Sequence, residues 1–118
     1  MNQIRNEKKS YLPLITERLK AYGIYKLVLF GSMSKGDNNP ESDIDLLVVT
    51  NDEHLPATYK DKSDIYLRIS NQLNDIKSKV PIDLIVYTKP MYRKFNEIGS
   101  LFSKEIARKG IVLYEGDH

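Results

Sequence analysis

The stretch LVLFGSMSKGDNNPESDIDLLVV, residues 27–49, contains two apolar runs joined by a polar loop. The first run ends at Gly31 and Ser32, and the second contains Asp43 and Asp45. Because side chains alternate between the two faces of a strand, both carboxylates are predicted to lie on one face. A buried carboxylate is costly unless it is paired or bound to a metal. The stretch therefore predicts a pair of metal ligands beside a Gly-Ser turn.

The composition indicates a soluble globular protein. The chain has 118 residues, of which 41% are hydrophobic and 29% are charged, and this size suits one domain over residues 1–118. The 18 basic and 16 acidic residues nearly balance, so a nucleic-acid partner is not expected. The absence of cysteine excludes disulfides and thiolate metal sites. The apolar runs are too short for a membrane span and residues 1–10 hold no signal core, so we expect a cytoplasmic location.

Hydrophobic periodicity predicts helices that alternate with short strands. Predicted helices cover residues 11–22, 64–79 and 101–109, with short helices after Ser32 and Pro90. Predicted strands cover residues 24–30, 43–50, 82–87 and 111–114. Residues 1–10 and 115–118 are predicted to be flexible tails. This order favours an α/β (α+β) fold, in which helices pack against a mixed central sheet of about four strands, and it leaves the strand order open.

A third carboxylate stands in a setting like that of the first two. Asp83 lies near the start of the apolar run PIDLIVY. If its strand pairs beside the strand of Asp43 and Asp45, three carboxylates converge. Such a group can hold two divalent cations, as in phosphoryl and nucleotidyl transfer. Hard oxygen ligands suit Mg²⁺, and also Mn²⁺.

The Gly-Ser turn is the second part of the predicted site. Gly31 allows the backbone to approach a phosphate closely, and amides at a helix start attract anions. The hydroxyl of Ser32 adds a hydrogen-bond donor, and Lys35 is a candidate to offset the charge of a triphosphate. The pattern therefore predicts a site that binds a metal-complexed nucleotide and aligns its α-phosphorus for attack.

Simpler interpretations exist for each feature taken alone. The Gly-Ser turn can merely connect a strand to a helix, and the two strand aspartates can lie on the solvent face of an edge strand. Asp83 can cap a turn, and Lys35 can be a solvated loop residue. The combination of all these features favours the metal site.

Taken together, these residues resemble a known signature. Gly31 and Ser32, separated by ten residues from Asp43 and Asp45, are similar to the motif of the DNA polymerase beta-like nucleotidyltransferase superfamily. The closest resemblance is to its minimal nucleotidyltransferase (antitoxin-type) branch, and it extends to the ending KEIARKGIVLYE. Branch members often have Ala-Arg-Gly where this chain has SKG. Lys35 keeps the charge of that arginine but not its planar fork.

The resemblance implies a mixed sheet with helices, a nucleoside triphosphate donor and two Mg²⁺ ions. The donor is expected to be ATP. By the same resemblance the Gly-Ser turn binds the donor phosphates, and Asp43 and Asp45 ligate the metal ions. Asp83 is implied to ligate the catalytic ion and to help deprotonate the acceptor hydroxyl. The three aspartates are thus the expected catalytic residues.

The resemblance also implies a partner. Members of the branch are antitoxins that pair with an all-helical HEPN-type toxin, and the expected reaction is transfer of AMP to a tyrosine of that toxin. Relatives that modify antibiotics or RNA usually carry an added helical domain, which this sequence lacks. Three alternatives stay open: a partner-binding module without catalysis, a nucleotide sensor, and a transferase for a small molecule such as an aminoglycoside that uses a separate helical subunit. A homo-oligomer is also open.

Overall fold

The chain folds into helices and four strands in the computed structural model, which describes residues 3–31 and 43–116, with side chains from residue 9 onward. The elements in chain order are α1 (Gln3–Tyr22), β1 (Ile24–Phe30), β2 (Ile44–Thr50), α2 (Tyr59–Ser70), a 3₁₀ turn (Asn71–Leu73), α3 (Asn74–Lys77), β3 (Ile82–Tyr87), α4 (Lys89–Ile98), α5 (Leu101–Lys109) and β4 (Ile111–Glu115).

The four strands form one mixed sheet in the order β3-β2-β1-β4. Strand β1 runs antiparallel to both β2 and β4. Strands β2 and β3 are parallel, with Ile44 opposite Ile82 and Val49 opposite Tyr87. The predicted fold class, a mixed sheet of about four strands with packed helices, is therefore confirmed. Because β2 lies between two neighbours, Asp45 does not belong to an edge strand, and that simpler interpretation is wrong.

Helices cover both faces of the sheet. On one face, Ile15 and Leu19 of α1 and Ile69 of α2 pack against buried residues of β1 and β2. On the other face, Ile106 of α5 packs against Val28 and Leu47. Each large apolar side chain buried in this way contributes about 1.5–3 kcal/mol relative to an exposed one. The two covered faces explain why the second half of β2 is an unbroken apolar run instead of an alternating one.

Two helices begin earlier than their apolar periodicity indicates. Helix α1 begins at Gln3, so residues 3–10, which the sequence assigned to a tail, are helical. Helix α2 begins at Tyr59, and the side chain of Thr58 accepts a hydrogen bond from the amide of Asp61 at 3.1 Å. The helix predicted to begin at Ser32 lies outside the described residues. None of the helices in residues 3–31 and 43–116 has both the length and the hydropathy needed to cross a bilayer.

Candidate active site

Three neighbouring strands bring the candidate residues to one end of the sheet. Asp45 of β2 lies opposite Phe30 of β1 and, on its other side, opposite Asp83 of β3. Gly31 directly follows Phe30, and Asp43 directly precedes β2. The pairing of β2 with β3, which the sequence left as a condition, is thus present. It places the third carboxylate next to the first pair.

Gly31 approaches Asp45 so closely that no side chain fits between them. The backbone of Gly31 has φ +75°, in the left-handed region that favours glycine. A Cβ atom added to Gly31 would overlap Oδ2 of Asp45 and would lie 2.9 Å from its Cγ. The carboxylate of Asp45 therefore occupies the position that a side chain at residue 31 would need, and any residue other than glycine would displace it.

The carboxylates at this end of the sheet influence one another electrostatically. Asp45 is partly buried, whereas Asp43 and Asp83 are exposed. Burial raises the pKa of Asp45 above its usual value, and the negative charges of Asp83 and Asp43 raise it further. Like charges held this close oppose one another, and a bound cation would relieve that repulsion.

The donor atoms suit a divalent cation, although the side chains do not form a complete ligand set as they stand. Among the described side chains, no three of His, Cys, Asp or Glu are arranged to hold a metal ion. Magnesium commonly keeps several waters and takes only one or two carboxylates from the protein. Asp45, which the negative charges of Asp83 and Asp43 repel, is therefore suited to be one of these carboxylates.

The rest of the predicted phosphate site lies outside the described residues. Residues 32–42 include Ser32 and Lys35, the two side chains assigned to the donor phosphates. Gly31 is thus the one member of the predicted turn that the structure describes. The roles of Ser32 and Lys35 stay predictions.

An aromatic cluster supports the strand end beneath Gly31. The ring of Phe102 meets the ring of Phe30 edge to face, with centroids 5.6 Å apart, and meets the ring of Phe95 in the same way at 5.9 Å. A cavity of about 170 Å³ adjoins Phe30, Gly31 and Phe102. Helical periodicity does not reveal this cluster, because the left-handed turn at Gly99 interrupts the helical spacing between Phe95 and Phe102.

Most of the chain is similar to known protein sequences. The family model described as Polymerase beta, Nucleotidyltransferase matches residues 14–118. A protein of Methanocaldococcus jannaschii, provisionally named a protein adenylyltransferase, is 30% identical over 111 residues. That alignment covers 92% of this chain and 99% of the relative.

Two solved structures share the fold. A protein of Sulfolobus solfataricus, provisionally named a nucleotidyltransferase, has a TM-score of 0.59 at 17% identity and covers 95% of this chain and 86% of its own. A mutant of the toxin-antitoxin pair MntA-HpeT has a TM-score of 0.53 at 18% identity, with 89% of this chain and 72% of that chain covered. At these identities the likeness concerns the fold.

Proposed function

We propose that this chain, which belongs to the polymerase beta nucleotidyltransferase family, transfers AMP from ATP to a hydroxyl group of a partner protein. The observation that carries the proposal is the meeting of Gly31, Asp45 and Asp83 on three adjacent strands at one end of the sheet. The name of the Methanocaldococcus relative supports a protein acceptor. The toxin-antitoxin structure supports a partner protein. The acceptor we propose is a tyrosine of a helical HEPN-type toxin, which the modification silences.

We assign binding of the donor phosphates to Gly31 and to two residues that follow it, Ser32 and Lys35. The backbone of Gly31 can approach a phosphate without steric hindrance, because it carries no side chain. Ser32 and Lys35 are proposed to donate hydrogen bonds and positive charge to the same phosphates. The aromatic contact between Phe30 and Phe102 holds the end of β1, so the turn starts from a fixed position.

Three aspartates are proposed to bind the metal ions that accompany the donor ATP. Asp43, Asp45 and Asp83 are proposed to hold two Mg²⁺ ions, which when bound offset the charge of the phosphates and polarise the reacting oxygens. Asp45 is confined by Gly31, so its carboxylate is oriented before the substrate arrives. Such orientation matters because a misplaced group loses much of its effect on the barrier.

The proposed reaction is a displacement at the α-phosphorus of ATP. The acceptor hydroxyl oxygen forms a bond to that phosphorus, and the bond from the phosphorus to the oxygen bridging the α- and β-phosphates breaks. Pyrophosphate leaves with that bond's electron pair. The hydroxyl proton passes to Asp83, whose exposed carboxylate is accessible to an incoming acceptor.

The test is to incubate the chain with isotope-labelled ATP, Mg²⁺ and the product of the adjacent gene, and to measure intact masses. We expect increments of one or more AMP groups on the partner protein. Asp83→Asn should abolish them, whereas Asp61→Asn, an exposed carboxylate in the first turn of α2, should retain them. Unmodified partner in the presence of demonstrated Mg·ATP binding would contradict the protein acceptor. Equal transfer by both variants would contradict the role of Asp83.

A further inference from the structure

A groove with positively charged walls lies on the sheet face that α4 and α5 cover. Two cavities of about 350 and 420 Å³ adjoin there, and both are lined by Lys26, Tyr92 and Asn96. The larger cavity reaches Val112 of β4, which is 50% exposed because the helices do not fully cover that strand. We call this region the cation groove and define it by Tyr25, Lys26, Lys89, Tyr92, Arg93 and Lys104.

Two lysines in the cation groove are largely buried. The side chains of Lys26 and Lys89 are only 17% and 11% exposed. The ammonium of Lys26 lies 5.3 Å from the ring centroid of Tyr92, and that of Lys89 lies 4.9 Å from the centroid of Tyr25. Cation–π contacts of this kind hold each charge in place and offset part of its desolvation. Both ammoniums are thus positioned along the groove.

The carboxylates that accompany these lysines are exposed. Nζ of Lys89 donates to Oε2 of Glu53 at 3.2 Å, whereas Nζ of Lys26 lies 3.9 Å from Oε2 of Glu115, beyond hydrogen-bond distance. The side chains of Glu53 and Glu115 are 70% and 49% exposed. Each glutamate stays in contact with solvent, so it can leave its lysine without the cost of burying an unpaired carboxylate. An incoming carboxylate can therefore replace either glutamate at low cost.

The charges lining the cation groove do not balance. Arg93 and Lys104 add two cations to the buried lysines, while the acidic residues that line the two cavities are Glu53 and Glu115. The groove therefore carries excess positive charge. Such an excess attracts a negatively charged partner and accelerates its association.

The cation groove and the candidate active site share one face of the sheet. Side chains alternate along β1, so Lys26 lies on the same face as Phe30. Phe30 in turn lies directly opposite Asp45. Four residues of strand span about 13 Å. A single extended segment of a partner can therefore occupy the groove while another part of the same partner reaches the active site.

We propose that the cation groove binds an acidic, extended segment of polypeptide that belongs to the acceptor protein. Both ammoniums already face carboxylates of this chain, so a carboxylate is the kind of group that suits them. Nucleic acid fits less well, because the lysines cover the faces of Tyr25 and Tyr92 on which bases would stack. The source of the segment rests on the proposed function, whereas its binding can be measured without any transfer reaction.

Substitutions of opposite charge should act in opposite directions. The probe is fluorescein-labelled polyglutamate, and fluorescence anisotropy at low ionic strength gives its affinity. We expect the double substitution of Lys26→Gln with Arg93→Gln to weaken binding about tenfold. Glu115→Gln removes the competing carboxylate, and we expect binding about threefold tighter. A merely structural ion pair would not produce tighter binding.

The matched control is Lys94→Gln, which removes the same charge from α4 at an exposed position outside the groove lining. It should leave the affinity within about twofold of the wild type. Arg93→Gln alone is an exposed change that repeats the test if the double variant fails to fold. Equal weakening by Lys94→Gln, no binding of polyglutamate, or tighter binding of single-stranded RNA would overturn the proposal. Failure of the wild-type protein to bind Mg·ATP would overturn the proposed function, but it would leave the measured affinity for polyglutamate unaffected.

Discussion

Replacing Gly31 by alanine should damage both the stability of the fold and the candidate site. An alanine at φ +75° adopts a backbone conformation that costs an L-residue about 1–2 kcal/mol. Its Cβ would also overlap Oδ2 of Asp45 and lie 3.2 Å from Cβ of Asp45. Asp45 must then rotate away, and an unfavourable rotamer costs about 0.5–1.5 kcal/mol more. We therefore expect a loss of about 1.5–3.5 kcal/mol in the free energy of unfolding.

Gly99→Ala is the matched control for this substitution. Gly99 has φ +65°, but an added Cβ would meet its nearest atom, Cε of Lys104, at an ordinary 3.7 Å. The control therefore measures the backbone strain without the clash, about 1–2 kcal/mol. For 118 residues, 1 kcal/mol corresponds to about 4 °C in Tm. Gly31→Ala should thus melt about 2–6 °C below Gly99→Ala.

The assay is thermal unfolding by circular dichroism, repeated with Mg²⁺ and excess ATP. Gly31→Ala should lose the stabilisation by Mg·ATP, because the carboxylate of Asp45 is displaced from its position against residue 31. Gly99→Ala should keep it, because the nearest atoms to its added Cβ belong to Lys104, Asn96 and Glu97 and not to Asp45. Equal Tm values for the two variants, together with retained Mg·ATP stabilisation in Gly31→Ala, would refute the close approach of Gly31 to Asp45.

Two further predictions concern charge. In EDTA, Asp45→Asn should raise the free energy of unfolding by up to about 1 kcal/mol at neutral pH, because it removes a partly buried carboxylate that Asp83 and Asp43 repel. The gain should vanish below the unfolded pKa of about 3.9, where wild-type Asp45 is protonated. An unchanged Tm at neutral pH would contradict this prediction. Partial burial acts to raise the pKa of Asp52, but hydrogen bonds from Thr50 and Arg68 outweigh it and hold this pKa below its usual value. This carboxylate therefore stabilises the fold above pH of about 3.9 and stops doing so as pH falls through its folded pKa. Asp52→Asn should cost about 1 kcal/mol in urea denaturation at neutral pH and less in acid, and an equal cost at both would count against this account.

The strands were the most predictable part of the fold. The observed β1 and β3 have the predicted bounds, residues 24–30 and 82–87. Each is a short apolar run with a turn-forming residue at its border, such as Gly23 before β1 and Pro81 before β3. Local sequence is enough to mark such borders, because glycine and proline restrict the backbone of their own position.

The helix starts were less predictable. The apolar spacing of α2 first appears at Ile65, although the helix begins at Tyr59. Tyr59 is 85% exposed, so the first turn of α2 carries no apolar face for periodicity to detect. The N-cap at Thr58 starts the helix instead, through its hydrogen bond from the amide of Asp61. A helix cap is a local signal that apolar periodicity does not detect.

Local sequence nominated the residues of the candidate site, but it did not show how the strands bring Asp45 and Asp83 together. Alternation within one strand relates Asp43 to Asp45, since both belong to the same segment. The approach of Asp83 depends on the parallel pairing of β2 with β3, which involves residues distant in sequence. No local sequence pattern predicts the cation groove, because Lys26 contacts Tyr92 and Glu115 only in the folded protein.

The central claim is that Gly31 and the neighbouring carboxylates hold a nucleoside triphosphate together with a divalent cation. The most direct test is the Tm of the wild type and of Asp45→Asn with Mg²⁺ and ATP at a hundredfold excess over the wild-type Kd. The wild type should gain about 2.7 kcal/mol, or about 11 °C, and should lose the gain in EDTA. Asp45→Asn should start at the higher Tm and gain little. An equal gain in both proteins, or a gain that survives EDTA, would contradict the claim.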